Sequence, residues 1–300
     1  MSKAKNEKTG PPSTNAGDTA SSLGSVNRKS KIVNRKLELV FLGTGTSHGV
    51  PMIGCHCGVC RSADPRDRRN RCSAALLAGG RTILIDTSPE LRLSAVACGI
   101  DRIDAILFTH GHADHIMGLD DIRRFNDACR CSIPCYANAP ALQRLREVFG
   151  YAEQPYESAA GYRPSVNFNL LEHPATIAGL EVQPVPLLHG KEPVLGFRVG
   201  GLAYCTDVSE IPKPSWPLLE GLELLVLVAL RPAPHPAHFN LQQALETIAR
   251  LKPRRALLTH LTHDLGHAQT AASLPQGVEL AYDTLRIQLP IANCRLPIGR

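Results

Sequence analysis

The chain has 300 residues, 43% of them hydrophobic, with a formal net charge of +6 at pH 7. Eight Lys/Arg and two Asp/Glu fall within residues 1–36 and account for the whole excess, while residues 37–300 carry 25 of each sign. The sequence pI of 8.8 is therefore no sign of a polyanion-binding body. The longest strongly apolar stretch, residues 222–230, falls far short of the ~20 residues that span a bilayer.

Residues 1–36 are rich in Ser, Thr, Gly, Asn and Lys, and their low hydrophobicity predicts a disordered basic tail. One folded domain is expected over 37–300. Ten cysteines and no apolar leader predict a reducing, cytoplasmic setting, where clustered cysteines bind metal more often than they form disulfides.

Leu37–Leu42 reads as a strand running into the glycine-rich turn Gly43-Thr44-Gly45-Thr46-Ser47. No Walker lysine and no regular Gly-x-Gly-x-x-Gly follows, so this turn is read as a loop lining a site rather than a phosphate cradle. Cys55, Cys57 and Cys60 place three thiols within six residues. Three thiolates call for a fourth ligand to close a tetrahedral structural zinc site. His56 would have to bend back within its own loop, so a distant histidine fits better. Between Asp64 and Arg71, four arginines occupy six positions beside Asp64 and Asp67. A phosphate grip and a salt-bridged surface loop are equally open there. Cys72–Ala78 and Arg81–Ile85 read as a strand pair turned at Gly79-Gly80. Pro89 opens a helix to Cys98, which Gly99 ends.

Ala105–Phe108 is a buried strand that stops at Thr109, and His110, His112, Asp114 and His115 follow within six residues. Gly111 and Ala113 leave the backbone free to curl. Imidazole and carboxylate together suit zinc or manganese. Next come a helical stretch Leu119–Phe125, a second thiol group (Cys129, Cys131, Cys135) read as structural, a strand Ile133–Ala137 and a helix Pro140–Phe149. Residues 150–167 are loop-like and offer a cover for a site. Ala178–Val185 is strand-like, with His189 just beyond it. A hairpin-like pair, Leu195–Val199 and Leu202–Cys205, delivers Asp207. The strand Leu222–Leu230 leads into a proline-stiffened loop with His235 and His238. Leu241–Leu251 is an amphipathic helix, and the strand Arg255–Leu258 ends at His260, three residues before His263. Four strand ends that each offer a ligand suggest one sheet edge as the site. Short strands with helices between them favour two sheets packed face to face with helices outside.

The run His110-x-His112-x-Asp114-His115 resembles the signature of the metallo-β-lactamase-fold hydrolases. With Leu42–Ser47, the cysteine triplet and the closing Thr259–Asp264, the chain resembles the phosphoribosyl cyclic phosphodiesterase type, the accessory enzyme of carbon–phosphorus lyase pathways. That resemblance implies a four-layer αββα sandwich. It implies a dinuclear site with one divalent metal (zinc or manganese) on His110, His112 and His189, a second on Asp114, His115 and His260, and Asp207 bridging. It implies one structural zinc on Cys55, Cys57, Cys60 and His263, and catalytic roles for Asp114 and His238. His48, His56, His173 and His267 match no ligand position, and His235 receives no direct role.

The implied activity is hydrolysis of a small phosphodiester, cyclic or linear, by a hydroxide that the metal pair activates. Competing readings are a nuclease of the transfer-RNA 3′-processing type, a thioester hydrolase of the glyoxalase type, and a non-catalytic metal-binding protein of cofactor biosynthesis. The balanced body charge argues against nucleic acid as a partner, the cysteine triplet fits the glyoxalase type poorly, and a complete ligand set argues against a dead site. Membrane partners are not expected, and a homodimer is left open.

Overall fold

The computed structural model describes residues 35–159 and 162–291. Among them, fourteen strands form two seven-stranded sheets. The first has the spatial order β14 (Arg286–Ile291), β1 (Arg35–Gly43), β2 (Ser73–Ala78), β3 (Arg81–Ile85), β4 (Ala105–Leu107), β5 (Ile133–Ala137), β6 (Val166–Leu170). The second runs β13 (Val278–Leu280), β12 (Arg255–Thr259), β11 (Leu224–Val228), β10 (Leu202–Cys205), β9 (Glu192–Val199), β8 (Leu180–His189), β7 (Ala175–Ile177). Helices α1 (Leu91–Cys98), α2 (Ala113–Ile116), α3 (Arg123–Cys129), α4 (Ala139–Phe149) and α5 (Tyr156–Ala159) fall within the first half, and α6 (Leu241–Leu251) and α7 (His267–Ala271) within the second.

The layers follow from side-chain alternation along strands. Strand β1 sends Leu37, Leu39 and Phe41 into the space between the sheets, where Phe197, Tyr204 and Val226 meet them. Its other face puts Val40 and Leu42 against Leu91 and Ala95 of α1 and near Leu142 and Leu145 of α4. Strand β11 divides likewise: Leu224 and Val226 face the first sheet, and Leu225 and Leu227 pack with Ala244 and Ile248 of α6. Strands apolar on both faces belong inside a layered fold. Three apolar layers between four structural ones make the αββα sandwich expected from the sequence.

Strands β3, β4 and β5 run parallel, as do β10, β11 and β12. Their carboxyl ends therefore share one edge per sheet. The hairpin between β2 and β3 turns at Gly79 (φ 58) and Gly80 (φ 74), both in the left-handed region that tight hairpins require.

Several expectations shift. The basic tail lies outside the described residues, except that Arg35 and Lys36 already open β1. The helical stretch after the histidine cluster splits into a 3₁₀ turn, Leu119–Ile122, and α3. Of the stretch 150–167, Ala152 and Val166 pack into the helix-side core of the first sheet. The arginine-rich loop is structural. Arg69 is fully buried and donates to Thr262 O at 2.8 Å and Leu265 O at 2.6 Å; Arg66 pairs with Asp64 and Arg71 with Glu90. Of the second thiol group, read as structural, Cys129 and Cys131 form a disulfide and Cys135 is a buried free thiol in β5. Arg130 at φ 53 folds the chain back so that their Cα atoms lie 5.3 Å apart, within bridging range. Among the described residues no helix is long and apolar enough to cross a membrane.

The glycine-rich turn after β1 passes close to the 69–71 backbone. A Cβ on Gly43 would lie 1.9 Å from Arg71 O, whereas one on Gly150 would meet nothing within 4 Å. Gly43→Ala is therefore expected to lose at least ~2 kcal/mol of stability, and Gly150→Ala to change it little. Urea unfolding of both variants checks this, and equal midpoints would contradict the close approach.

Candidate active site

The site is built at the strand ends. Asp86 follows β3, His110 to His115 follow β4, His189 ends β8, Asp207 follows β10 and His260 follows β12. Asp86 (φ 59), Asp207 (φ 53) and His260 (φ 57) are all left-handed. Such backbone costs of order 1–3 kcal/mol per residue and clusters where function needs it; Asp and His are among the non-glycine residues that tolerate it best. The short helix α2 carries Asp114 and His115, with its first turn anchored by His115 N–H to His112 O at 3.0 Å.

Hydrogen bonds fix which nitrogen each imidazole presents. Asp86 is fully buried. Its Oδ2 accepts from His115 Nδ1 at 2.7 Å and from the Thr109 hydroxyl at 2.8 Å, and its Oδ1 accepts from Thr109 N–H at 2.8 Å. Because the Thr109 hydroxyl donates to Asp86, its oxygen accepts from His110 Nδ1 at 2.9 Å. His189 Nδ1 donates to Ala237 O at 2.6 Å. Three imidazoles thus turn a bare Nε2 inward. His112 is reversed: its Nε2 lies 3.0 Å from Glu192 Oε2, which leaves Nδ1 for the centre.

The inward atoms lack protein partners. His110 Nε2, His115 Nε2 and both nitrogens of His260 are buried without a hydrogen bond. Yet His115 Nε2 lies 3.4 Å from Asp114 Oδ2 and 3.3 Å from Asp207 Oδ2, and His260 Nε2 lies 3.2 Å from Asp207 Oδ1. Lone pairs facing each other at these distances without a hydrogen bond are an arrangement that suits donors around cations. Overlapping donor groups comprise His110, His112 and His189; His110, His115 and Asp207; Asp114, His115 and His260; and His189, Asp207 and His238. The residues therefore fit a pair of divalent cations. Every predicted ligand of the dinuclear site falls in this cluster.

The field of the site is that of a cation receptor. Burial alone would depress the His115 pKa, but Asp207, Asp86 and Asp114 hold it well above its ordinary value. Burial lowers His110 far below its usual range. Burial opposes the charge on Asp114 and Asp207, but His115 beside Asp114, and His260 and His115 beside Asp207, keep both carboxyls far below the usual range. Burial raises Asp86, against His115 and Thr109.

The three thiols of the cysteine loop converge on His263, the fourth ligand that the family resemblance implies. Sγ of Cys55, Cys57 and Cys60 lie 3.2, 3.3 and 3.5 Å from His263 Nδ1. Tetrahedral zinc with such ligands separates nitrogen and sulphur donors by ~3.5 Å. Cys60 N–H donates to Cys57 Sγ at 3.4 Å and is the main cause that lowers that thiol to about 6. Burial pushes Cys60 up to about 11, despite the bond from Met52 N–H.

A cleft of about 310 Å³ opens on the centre, lined by Thr46, Ser47, His48, His112, Asp114, His189, Asp207, Arg231, His235, His238 and His260, among others. The glycine-rich turn thus lines the site as expected. His238 Nε2 lies 3.1 Å from Asp207 Oδ1, and its Nδ1 lies 3.0 Å from His235 Nδ1. Sequence reasoning missed Asp86, Thr109, Glu192 and the contact of His235. Asp86 shared the signal used for Asp207, an acid immediately past a strand; the others carried none. His56 and His173 are exposed, and His267 is buried at the start of α7.

A family model described as the beta-lactamase superfamily domain matches residues 81–261. A crystal structure of a new diphosphatase from the PhnP family is 41% identical at a TM-score of 0.80, over 86% of this chain and 99% of that one. An octanoyltransferase of Porphyromonas gingivalis is 35% identical over 259 residues, 83% of this chain and 51% of that protein, so the chain spans about half its length. A ribonuclease Z of Mycobacterium sp. is 24% identical over 88% of this chain and all of that protein.

Cys57→Ser removes one donor of the thiol site and none of the dinuclear cluster. Elemental analysis should find one zinc fewer per chain than in the wild type, with a lower melting temperature. Unchanged zinc content would contradict a zinc site in this loop.

Proposed function

The chain belongs to the β-lactamase superfamily, a metal-dependent hydrolase of the metallo-β-lactamase fold, and on that premise we propose that it is a dinuclear phosphodiesterase acting on a small phosphodiester. The observation that carries this is the two donor groups that meet at Asp207 and open, together with His238, on one small cleft. The 41% identity to a PhnP-family diphosphatase supports phosphate chemistry. His110, His112 and His189 would hold one cation and Asp114, His115 and His260 the other, with Asp207 between them; zinc and manganese both suit these donors. Cys55, Cys57, Cys60 and His263 would hold a structural zinc.

When bound, the cations supply Lewis acidity that makes water more acidic and offsets charge on a phosphoryl group. Asp114, kept ionised beside His115, offers an acceptor that orients the attacking water. His238 presents Nε2 at the cleft and delivers a proton to the departing alkoxide. Thr46, Ser47 and Arg231 also line the cleft and can donate to non-bridging oxygens.

The ribonuclease Z match favours a nuclease as the second reading. Among the described residues Arg231 is the single Lys or Arg lining the cleft, and a long polyanion needs several. That supports the small substrate. Its setting is proposed to be the cytoplasm, with no membrane partner.

The full chain supplied with manganese or zinc should hydrolyse bis(p-nitrophenyl) phosphate, and Asp207→Ala should abolish turnover while retaining the wild-type circular dichroism. Preferential cleavage of precursor transfer RNA would move the assignment to the nuclease. Turnover in neither metal, or an active Asp207→Ala, would sink the proposal.

A further inference from the structure

We propose that Cys129 and Cys131 form a thiol–disulfide exchange site for a small thiol, with Cys131 as the thiolate that leaves and returns. Both residues, and Arg130 between them, are exposed. Their bridge joins positions only two apart in sequence, at the end of α3. So short a loop removes little chain entropy, and exposed disulfides are the labile ones. The free cysteines elsewhere are either buried or belong to the thiol loop around His263.

The turn does not need the bridge. Arg130 N–H and Cys131 N–H both donate to Asn126 O, at 2.7 and 3.4 Å. The buried Asn126 side chain donates to Cys131 O and to Ser165 O, each at 2.8 Å, and accepts from Ser165 N–H at 3.1 Å. Strand β5 begins just beyond, at Ile133, and pairs there with β6. Reduction therefore leaves two thiols still held on Cα atoms 5.3 Å apart. In a reducing setting such bridges are usually transient.

The surroundings set the order of attack. Cys129 Sγ lies 3.5 Å from Asn126 O and 3.5 Å from Cys131 O. Once reduced, Cys129 S–H has those two acceptors, which favour its neutral form. Among the described residues Cys131 Sγ meets no such acceptor. Arg130, adjacent to both, favours the thiolate that is not so bonded. Cys131 is therefore the better leaving group. The incoming thiolate attacks Cys129 Sγ, the S–S bonding pair departs with Cys131, and a mixed disulfide remains on Cys129. A second thiolate attacks the outer sulphur of that mixed disulfide and frees Cys129. Both protein sulphurs take protons. Two small thiols are thus oxidised to their disulfide, and the protein gains two hydrogens.

The test uses the full chain loaded with zinc and equilibrated in glutathione buffers, then quenched in acid, alkylated and mapped by mass spectrometry. The peptide carrying both cysteines should take two alkyl groups when reduced glutathione is in large excess. It should take none when oxidised glutathione is, and approach from either side should give the same midpoint. A pair that stays bridged at every ratio, or that ends with two glutathionyl groups instead of a bridge, overturns the proposal. Two single variants test the order of attack. The remaining Cys131 of Cys129→Ser should react with iodoacetamide severalfold faster than the remaining Cys129 of Cys131→Ser, and equal rates contradict the assignment. The double variant, Cys129→Ser with Cys131→Ser, should melt at the wild-type temperature. A large loss would make the bridge a structural staple and overturn the exchange role.

Discussion

The Asp86 carboxylate is the constraint on which the rest of the site depends. It is buried, it sits at a left-handed backbone position, and it accepts from His115 Nδ1, the Thr109 hydroxyl and the Thr109 N–H. Through the Thr109 hydroxyl it also settles His110. One carboxylate thus determines which nitrogen two inward-facing imidazoles present, and a ligand whose lone pair is already aimed needs no rearrangement to bind. Its negative charge adds to the field of Asp114 and Asp207, which favours positive charge at the centre.

Three apolar layers hold the two sheets and their helices, and the left-handed residues Asp86, Asp207 and His260 project from their rigid ends. Sites placed on such ends hold their geometry better than sites on free loops. The Arg69 guanidinium and the thiol cluster both bind the loop that follows His260: Arg69 through Thr262 and Leu265, the thiols through His263. The segment carrying a central donor is thereby tied to the amino-terminal half of the chain.

Much of this was legible in the sequence. Helix α6 coincides with the amphipathic stretch Leu241–Leu251, whose Asn240–Gln243 capping box marks its start. Strands β2 and β3 follow from apolar runs around paired glycines, and the clustered donors follow from strand ends. What was not legible depends on long-range contact. Glu192, at the start of β9, meets His112 of the segment after β4, and nothing in either local sequence announces the pair. The arginine loop could not be told from a phosphate grip, because what decides it is burial of Arg69 against residues nearly 200 positions away. His235 showed no role by spacing, since its contact with His238 arises from the fold of a proline-rich loop that has no regular periodicity. The Cys129–Cys131 bridge depends on a single left-handed residue, Arg130, which propensity does not foresee.

The central claim is that an oriented donor set, rather than a mere collection of ligands, makes the cation site. Asp86→Asn tests it most directly. The substituted amide keeps the shape of the carboxylate, but it has only one oxygen to receive three donors, and its NH₂ must face at least one of them. Competition titration against a chelator should show affinity for zinc at the dinuclear centre about 10–100-fold weaker, with all seven donors of the cluster in place and the thiol-site zinc retained. Wild-type affinity in Asp86→Asn would contradict the account.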